Sequence, residues 1–341
     1  MKKYNYLVAE STECLNPRKV SAGHKRINFV EFERIRESNF LKIPVFRILI
    51  YLFLICLTTA IQGQTIKTAI TGNWSSSGTW TPAGVPAPND PVVIPNTVNL
   101  TCDINATCAS ITFTGANASL SINTSVTLTV TSSVTLNNLP ASSSSCSITG
   151  NGTLSCGSVN VGSNADPATQ NTTYTTTISS TLANFNITNN LTINSYTGVN
   201  DGRRNNSFFQ LSSGVLTILQ QIITTNEKSV NISTFSMSSD PQTGILILSG
   251  PSPFSPSGTG TSNFSLDGVS STVNYNRSGN QTVRPTTYTN LTLSGTLAKT
   301  TTGVTVNDTL SMEGTATATA TPTFGTDATL QYNTPAPRST G

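Results

Sequence analysis

From Val92 onward the chain repeats one local theme: three to five residues that alternate apolar with Thr, Ser or Asn, then a turn. Ile111-Thr-Phe113, Leu120-Ser-Ile122, Val126-Thr-Leu-Thr-Val130 and Val134-Thr-Leu136 follow one another, with Gly115, Asn117 and Asn123 between them. The theme returns at Phe185-Asn-Ile187, Leu191-Thr-Ile193, Val215 to Ile218, Ile245 to Leu248, Leu291-Thr-Leu293, Val304-Thr-Val306 and Leu310-Ser-Met312. A period of two sends alternate side chains to opposite faces of a strand, and β-branched residues suit that pleated surface. No stretch after residue 64 offers a capped helix with a 3.6-residue period. The body is therefore predicted to be all-β.

Strand length then separates two architectures. Sandwich strands are longer and joined by hairpins, whereas very short strands with single Gly or Asn corners suit coils that stack and contact only their neighbours. The expectation is a right-handed parallel β-helix, or β-solenoid, with a β-sandwich-like C-terminal part as the alternative. Breaks in the theme give the expected organisation. Residues 64–95, with the Pro-rich stretch Pro82 to Pro95, form an entry or capping segment. Residues 96–250 form the solenoid, and 263–341 a further β-repeat unit after the Pro, Ser and Gly cluster Pro251 to Ser262. The polar stretch Gly162 to Thr177 is another expected joint.

Charge narrows the function. Only 10% of residues are charged, and ten of the 18 Lys and Arg fall within residues 1–63. The body keeps eight basic and ten acidic residues, too few cations to track a phosphate backbone, so nucleic acid is excluded as a partner.

Ile48 to Leu57 is an apolar run with Lys42 and Arg47 before it and the small or polar segment Thr58 to Gln64 after it. That order is a secretory signal over residues 41–63, cleaved after Ala60 or Gly63. The alternative, a single N-terminal membrane anchor, needs about 20 apolar residues to span the hydrocarbon core. Residues 1–40 are charged, hold the sole histidine, His24, and lack the alternation of the body. They read as a non-globular extension from a start placed too early, with initiation expected at Leu41. The chain is thus expected to be secreted or displayed on the outer surface, meeting a membrane only through its export signal.

Four of the six cysteines, Cys102, Cys108, Cys146 and Cys156, lie beyond the cleavage point. An oxidising destination favours bridges, the local pairs being Cys102 with Cys108 and Cys146 with Cys156. The competing reading is four small buried apolar residues. The spacings match no zinc pair, and no calcium loop is present, so neither metal nor cofactor is expected.

The absence of histidine after residue 64 removes His-based triads. Carboxylates at Asp90, Asp103, Asp166, Asp201, Glu227, Asp240, Asp267, Asp308, Glu313 and Asp327 are scattered, and turn chemistry accounts for most of them. The candidate ligand contacts are few. Arg203 and Arg204, in Asp201-Gly202-Arg203-Arg204, offer a fork of donors to a sugar or carboxylate, against an exposed turn as the simpler reading. Trp74 and Trp80, with Tyr196, Phe208 and Phe209, offer stacking faces, against a cap over the first coil.

Two segments carry a resemblance. In residues 72–100, Gly72, Trp74, Thr79, Trp80, Gly84, Pro86, Asp90, Val92 and Ile94 give an order that resembles the entry segment of large secreted β-solenoid proteins of Gram-negative bacteria, adhesin-like and exported by the type IX route. The segment is also similar to the eight-glycine β-strand domain of extracellular proteins. Residues 272–333 resemble a repeat unit of the same large proteins. The resemblance implies export and architecture rather than catalysis, and it implies recurring units with a C-terminal sorting domain, so the chain is expected to be a fragment. The expected function is a non-enzymatic structural or adhesive module whose partners are surface glycans or other cell-surface components. The alternative is a carbohydrate-binding or polysaccharide-degrading protein on the same scaffold.

Overall fold

The structure, a computed structural model, describes residues 63–136, 143–162, 172–195, 203–238 and 243–334. The extension 1–40 and the export signal, Gly63 apart, lie outside the described residues. Within them every strand pairing is parallel except one, Lys67–Ala69 with Trp80–Thr81. The expected parallel solenoid is what forms, and among the described residues no helix is long and apolar enough to cross a membrane.

Three ladders run along the stack. The first begins at Gly72–Asn73 and Asn99–Cys102, continues through Ala118–Ile122, Ser144–Gly150 and Thr173–Ser180, and ends with Arg204–Leu211, Ile232–Ser236 and Thr261–Ser265. The second starts at Ala106–Cys108 and reaches Thr329–Asn333, passing through Asn184–Ile187, Val215–Ile218, Ile245–Leu248 and Thr272–Tyr275. The third runs from Lys67–Ala69 to Phe254–Gly258. The long strands Thr127–Leu136 and Thr153–Val161 belong to both the second and third ladders, with a register shift between Cys156 and Ser158 where one ladder gives way to the next.

Alternation converts directly into a core. On the second ladder Leu128, Leu154, Phe185, Leu216, Leu246, Val273, Leu291 and Leu310 occupy one register column, all buried. Each such side chain contributes about 1.5–3 kcal/mol by leaving water. A second column places Phe185 beside Phe209, which stacks on Phe235 with ring centroids 5.8 Å apart. Corners demand glycine where coils approach closely: a Cβ on Gly258, at φ +87°, would lie 1.9 Å from the Asn226 carbonyl oxygen.

One inward column is polar. Ser144, Thr176, Ser207, Ser233 and Ser262 are register partners through five successive strands of the first ladder. Ser233 Oγ donates to Asn226 Oδ1 at 2.8 Å and sits 3.0 Å from Ser195 Oγ. Asn226 Nδ2 donates to Ser262 Oγ at 2.9 Å, and Thr224 Oγ1 to the same oxygen at 2.8 Å. Ser144 Oγ and Thr176 Oγ1 are buried with no hydrogen-bond partner.

The C-terminal part is no sandwich: Thr272–Tyr275, Thr287–Leu293, Thr305–Glu313 and Thr329–Asn333 continue the second ladder in parallel. At the Pro251 to Ser262 cluster, Phe254–Gly258 and Thr261–Ser265 pair with the coil before. Coil length varies along the stack: Ser119 reaches Asn99 over 20 residues near its start, Asn186 bonds across to Ser155 and Gln221 to Ser252 over 31 in its middle, and Ser294 reaches Asn274 over 20 and Lys299 reaches Gln281 over 18 after it. Among the described residues the third ladder stops at Phe254–Gly258 and the first at Thr261–Ser265, so of the three only the second continues into the later coils. A small parallel ladder of Gln281–Thr282, Thr296–Thr300 and Thr315–Ala318 closes them.

Candidate functional site

The outward side chains of the first ladder repeat from coil to coil. Ser145, Thr177, Phe208, Thr234 and Asn263 share one register row; Ser147, Ser179, Gln210, Ser236 and Ser265 share the next. Adjacent strands lie about 4.8 Å apart, so each row is a ladder of hydroxyl and amide groups at that spacing. Over four strands the surface forms an open groove of about 620 Å³ lined by Thr175, Thr177, Phe208, Gln210, Thr234, Ser236, Ser238, Asn263, Phe264 and Ser265. No lining residue is charged.

Phe208 stands out in it. Adjacent apolar residues in a period-two strand must face opposite ways, and Arg204–Leu211 ends on inward Leu211, so Phe209 turns in and Phe208 turns out. The ring is half-buried, with Thr177 and Thr234 as its register neighbours. Below the row, Phe264 packs edge-to-face on Phe254 at 5.0 Å, and the Arg284 guanidinium lies 4.1 Å from the Phe264 ring centre. Arg284 thus covers the core where the first ladder ends.

The residues singled out from sequence separate accordingly. Arg204 is exposed and outward on the strand of Phe208, two outward positions away, and Arg203 precedes it half-buried. Asp201, Gly202 and Tyr196 lie outside the described residues. Trp74 and Trp80 are buried against each other, edge-to-face at 4.8 Å, with Trp80 Nε1 donating to the Trp74 carbonyl at 2.9 Å. Trp74 Nε1 is buried with no hydrogen-bond partner, beside a second cavity of about 540 Å³ lined in part by Pro86, Pro88 and Ile104.

The cysteines are four buried free thiols, so neither local bridge, Cys102 with Cys108 or Cys146 with Cys156, is present. Each side chain fills an inward position in a strand: Cys156 continues the column of Val130 and Ile187, and Cys146 that of Ala118 and Ile178. Burial raises the thiols of Cys102, Cys108 and Cys156 to about 12 and that of Cys146 to about 11. They remain protonated and unreactive near neutrality.

Asp90 and Asp103 have structural partners. Asp90 accepts from the backbone N–H of Thr65 and of Ala87, each at 2.9 Å. Asp103 accepts from Ser75 N at 3.0 Å and Ser75 Oγ at 2.6 Å. Asp166, Asp201 and Asp240 lie outside the described residues. Among the described residues no group of three or more His, Cys, Asp or Glu could hold a metal ion.

Two features escaped the sequence reading. One is the polar interior column, whose Ser and Thr are indistinguishable in type from the outward ones; parity alone could have found it. The other is the groove, which needs strands about thirty residues apart to come together. No protein-family model, curated protein or solved structure matches the chain.

Proposed function

We propose that the chain is an exported, non-catalytic structural or adhesive module of a bacterial cell-surface or secreted protein, with surface glycans or other cell-surface components as its partners. The observation that carries this reading is the long run of uncharged outward rows. On the second ladder Thr107, Thr129, Ser155, Asn186, Thr217, Ile247, Asn274 and Thr292 repeat in a single register row. Such a surface offers many weak, identical contacts rather than one cleft, which suits attachment or spacing more than turnover. The basic, apolar and small-residue order of residues 41–63 supports export, and the resemblance of residues 72–100 and 272–333 to secreted solenoid proteins agrees with it.

The test has two parts. N-terminal sequencing of the protein recovered outside the cell should begin after Ala60 or Gly63; recovery of the intact N-terminus in the membrane fraction instead identifies an anchor. Purified protein should bind intact cell surfaces saturably and release no sugar from a polysaccharide panel. Sugar release would sink the non-catalytic assignment. The Phe208 groove favours the second reading, carbohydrate binding on the same scaffold.

A further inference from the structure

The geometry points to the groove on the first ladder as a binding site for an uncharged, extended glycan strand, lying along the stacking direction with the apolar face of one sugar ring on Phe208. This rests on the reading of the chain as a surface-contact module and gives that module its contact residues.

Three observations select the ligand. The lining has no Lys, Arg, Asp or Glu, so nothing there compensates a charged polymer for its lost hydration. Two cations lie near: Arg284, whose guanidinium stacks on the ring of the lining residue Phe264 at 4.1 Å, and Arg204, four residues along the strand from Phe208, about 13 Å away. A pyranose presents a C–H face and a rim of hydroxyls. Phe208 offers the first a half-buried aromatic ring, while Thr177 and Thr234 in its own row and Gln210 and Ser236 in the next surround it with donors and acceptors for the second. Finally, four strands at about 4.8 Å give a contact line of roughly 14 Å, the length of about three sugar rings.

An added peptide strand fits less well. Of the four strands under the groove, Thr173–Ser180, Arg204–Leu211 and Ile232–Ser236 are paired on both sides; the open edge among the described residues is that of Thr261–Ser265, where an incoming strand would lengthen the ladder at its end rather than lie along the groove.

The test is affinity electrophoresis of the full chain through gels containing a soluble neutral β-glucan or xylan, or anionic alginate. Variants Phe208→Ala, Phe208→Trp and Thr317→Ala are compared, the last altering an exposed residue of the small ladder, outside both outward rows. Because residue 208 faces outward, the Phe208 variants should melt close to the wild type.

Retardation by a neutral glycan that persists at high salt, weakens about tenfold in Phe208→Ala, survives in Phe208→Trp and is unchanged in Thr317→Ala supports the site. Retardation by alginate alone, none by either neutral glycan, or equal retardation of wild type and Phe208→Ala overturns it. Cell-surface binding measured on the same proteins separates the two claims: adhesion unaffected by Phe208→Ala leaves the adhesive module standing without this groove, and absence of adhesion in the wild type removes the module itself.

Discussion

The wide coils that carry the first ladder and the narrow coils after residue 272 solve the same packing problem differently. In the wide coils three faces enclose a broad interior, filled by the Phe185, Phe209 and Phe235 group and by aliphatic columns, with a hydrogen-bonded corner of Ser195, Asn226, Ser233 and Ser262. In the narrow coils the first and third ladders are gone, and large amphipathic side chains reach across what is left. Lys299 is fully buried, its Nζ donating to the carbonyls of Arg277 at 2.7 Å and Gly279 at 3.3 Å and to Gln281 Oε1 at 3.2 Å. Tyr275 and Tyr288 share a 2.8 Å hydroxyl contact; the Arg284 N–H donates to Tyr275, and Tyr288 donates to the Arg284 carbonyl. Loss of the first and third ladders, then, goes with an interior filled by long side chains whose polar tips are satisfied by backbone.

Alkali should separate the two regions most strongly. The four thiols sit in the wide coils, with folded values near 11–12 against 9.0 for an ordinary thiol. Above pH 9 the unfolded chain loses these protons first, so the native state binds more protons and stability falls as pH rises towards 11–12, by about 1.4 kcal/mol per thiol per pH unit. Lys299 runs the other way: burial foremost, then the Arg277 charge, lowers it to about 8. Between pH 8 and 10.5 the unfolded state binds the extra proton, and the Lys299 contribution grows more favourable with pH, until above pH 10 Tyr275 and Tyr288, both raised by burial, begin to destabilise these coils as well. Hydrogen exchange at pH 8 and 10 should show the wide coils losing protection earlier. Alkylation mapped by mass spectrometry should label Cys102, Cys108, Cys146 and Cys156 only after denaturation without reductant; no labelling even then would mean bridges and cancel the pH effect.

Phe209→Ala should cost about 3–5 kcal/mol, because it empties the centre of an aromatic stack whose neighbours are fixed by their strands. In a stack whose coils touch only their neighbours, the loss should concentrate around residues 174–235 and leave 287–318 protected. Uniform loss would show the two regions to be a single cooperative unit.

Tyr275→Phe tests the narrow coils at a smaller scale. It leaves the Arg284 N–H without its acceptor and should destabilise by about 1–3 kcal/mol in chemical denaturation. An unchanged midpoint would mean that the hydroxyl pair does not hold these coils.

The smallest effects lie in the polar column and should differ in sign. Ser233→Ala strands Asn226 Oδ1 and should cost about 1–2 kcal/mol, whereas Thr176→Val removes a buried hydroxyl that has no partner and should be neutral or stabilising by up to about 1 kcal/mol. Equal losses at both positions would refute the distinction between satisfied and orphaned members of one column.

The sequence alone determined the all-β class and the inward or outward fate of most strand residues, because a period of two is a local property of the backbone and needs no knowledge of partners. Parity even sorts Phe208 from Phe209. Stacking and its consequences belonged to the tertiary structure: which strand lies on which, the narrowing of the coils after Thr261–Ser265, the free state of the cysteines, the mutual burial of Trp74 and Trp80, and the meeting of Phe208 with Thr177 and Thr234. Those depend on register between segments some eighteen to thirty residues apart, and register is fixed only when whole coils settle into contact and bury their columns together.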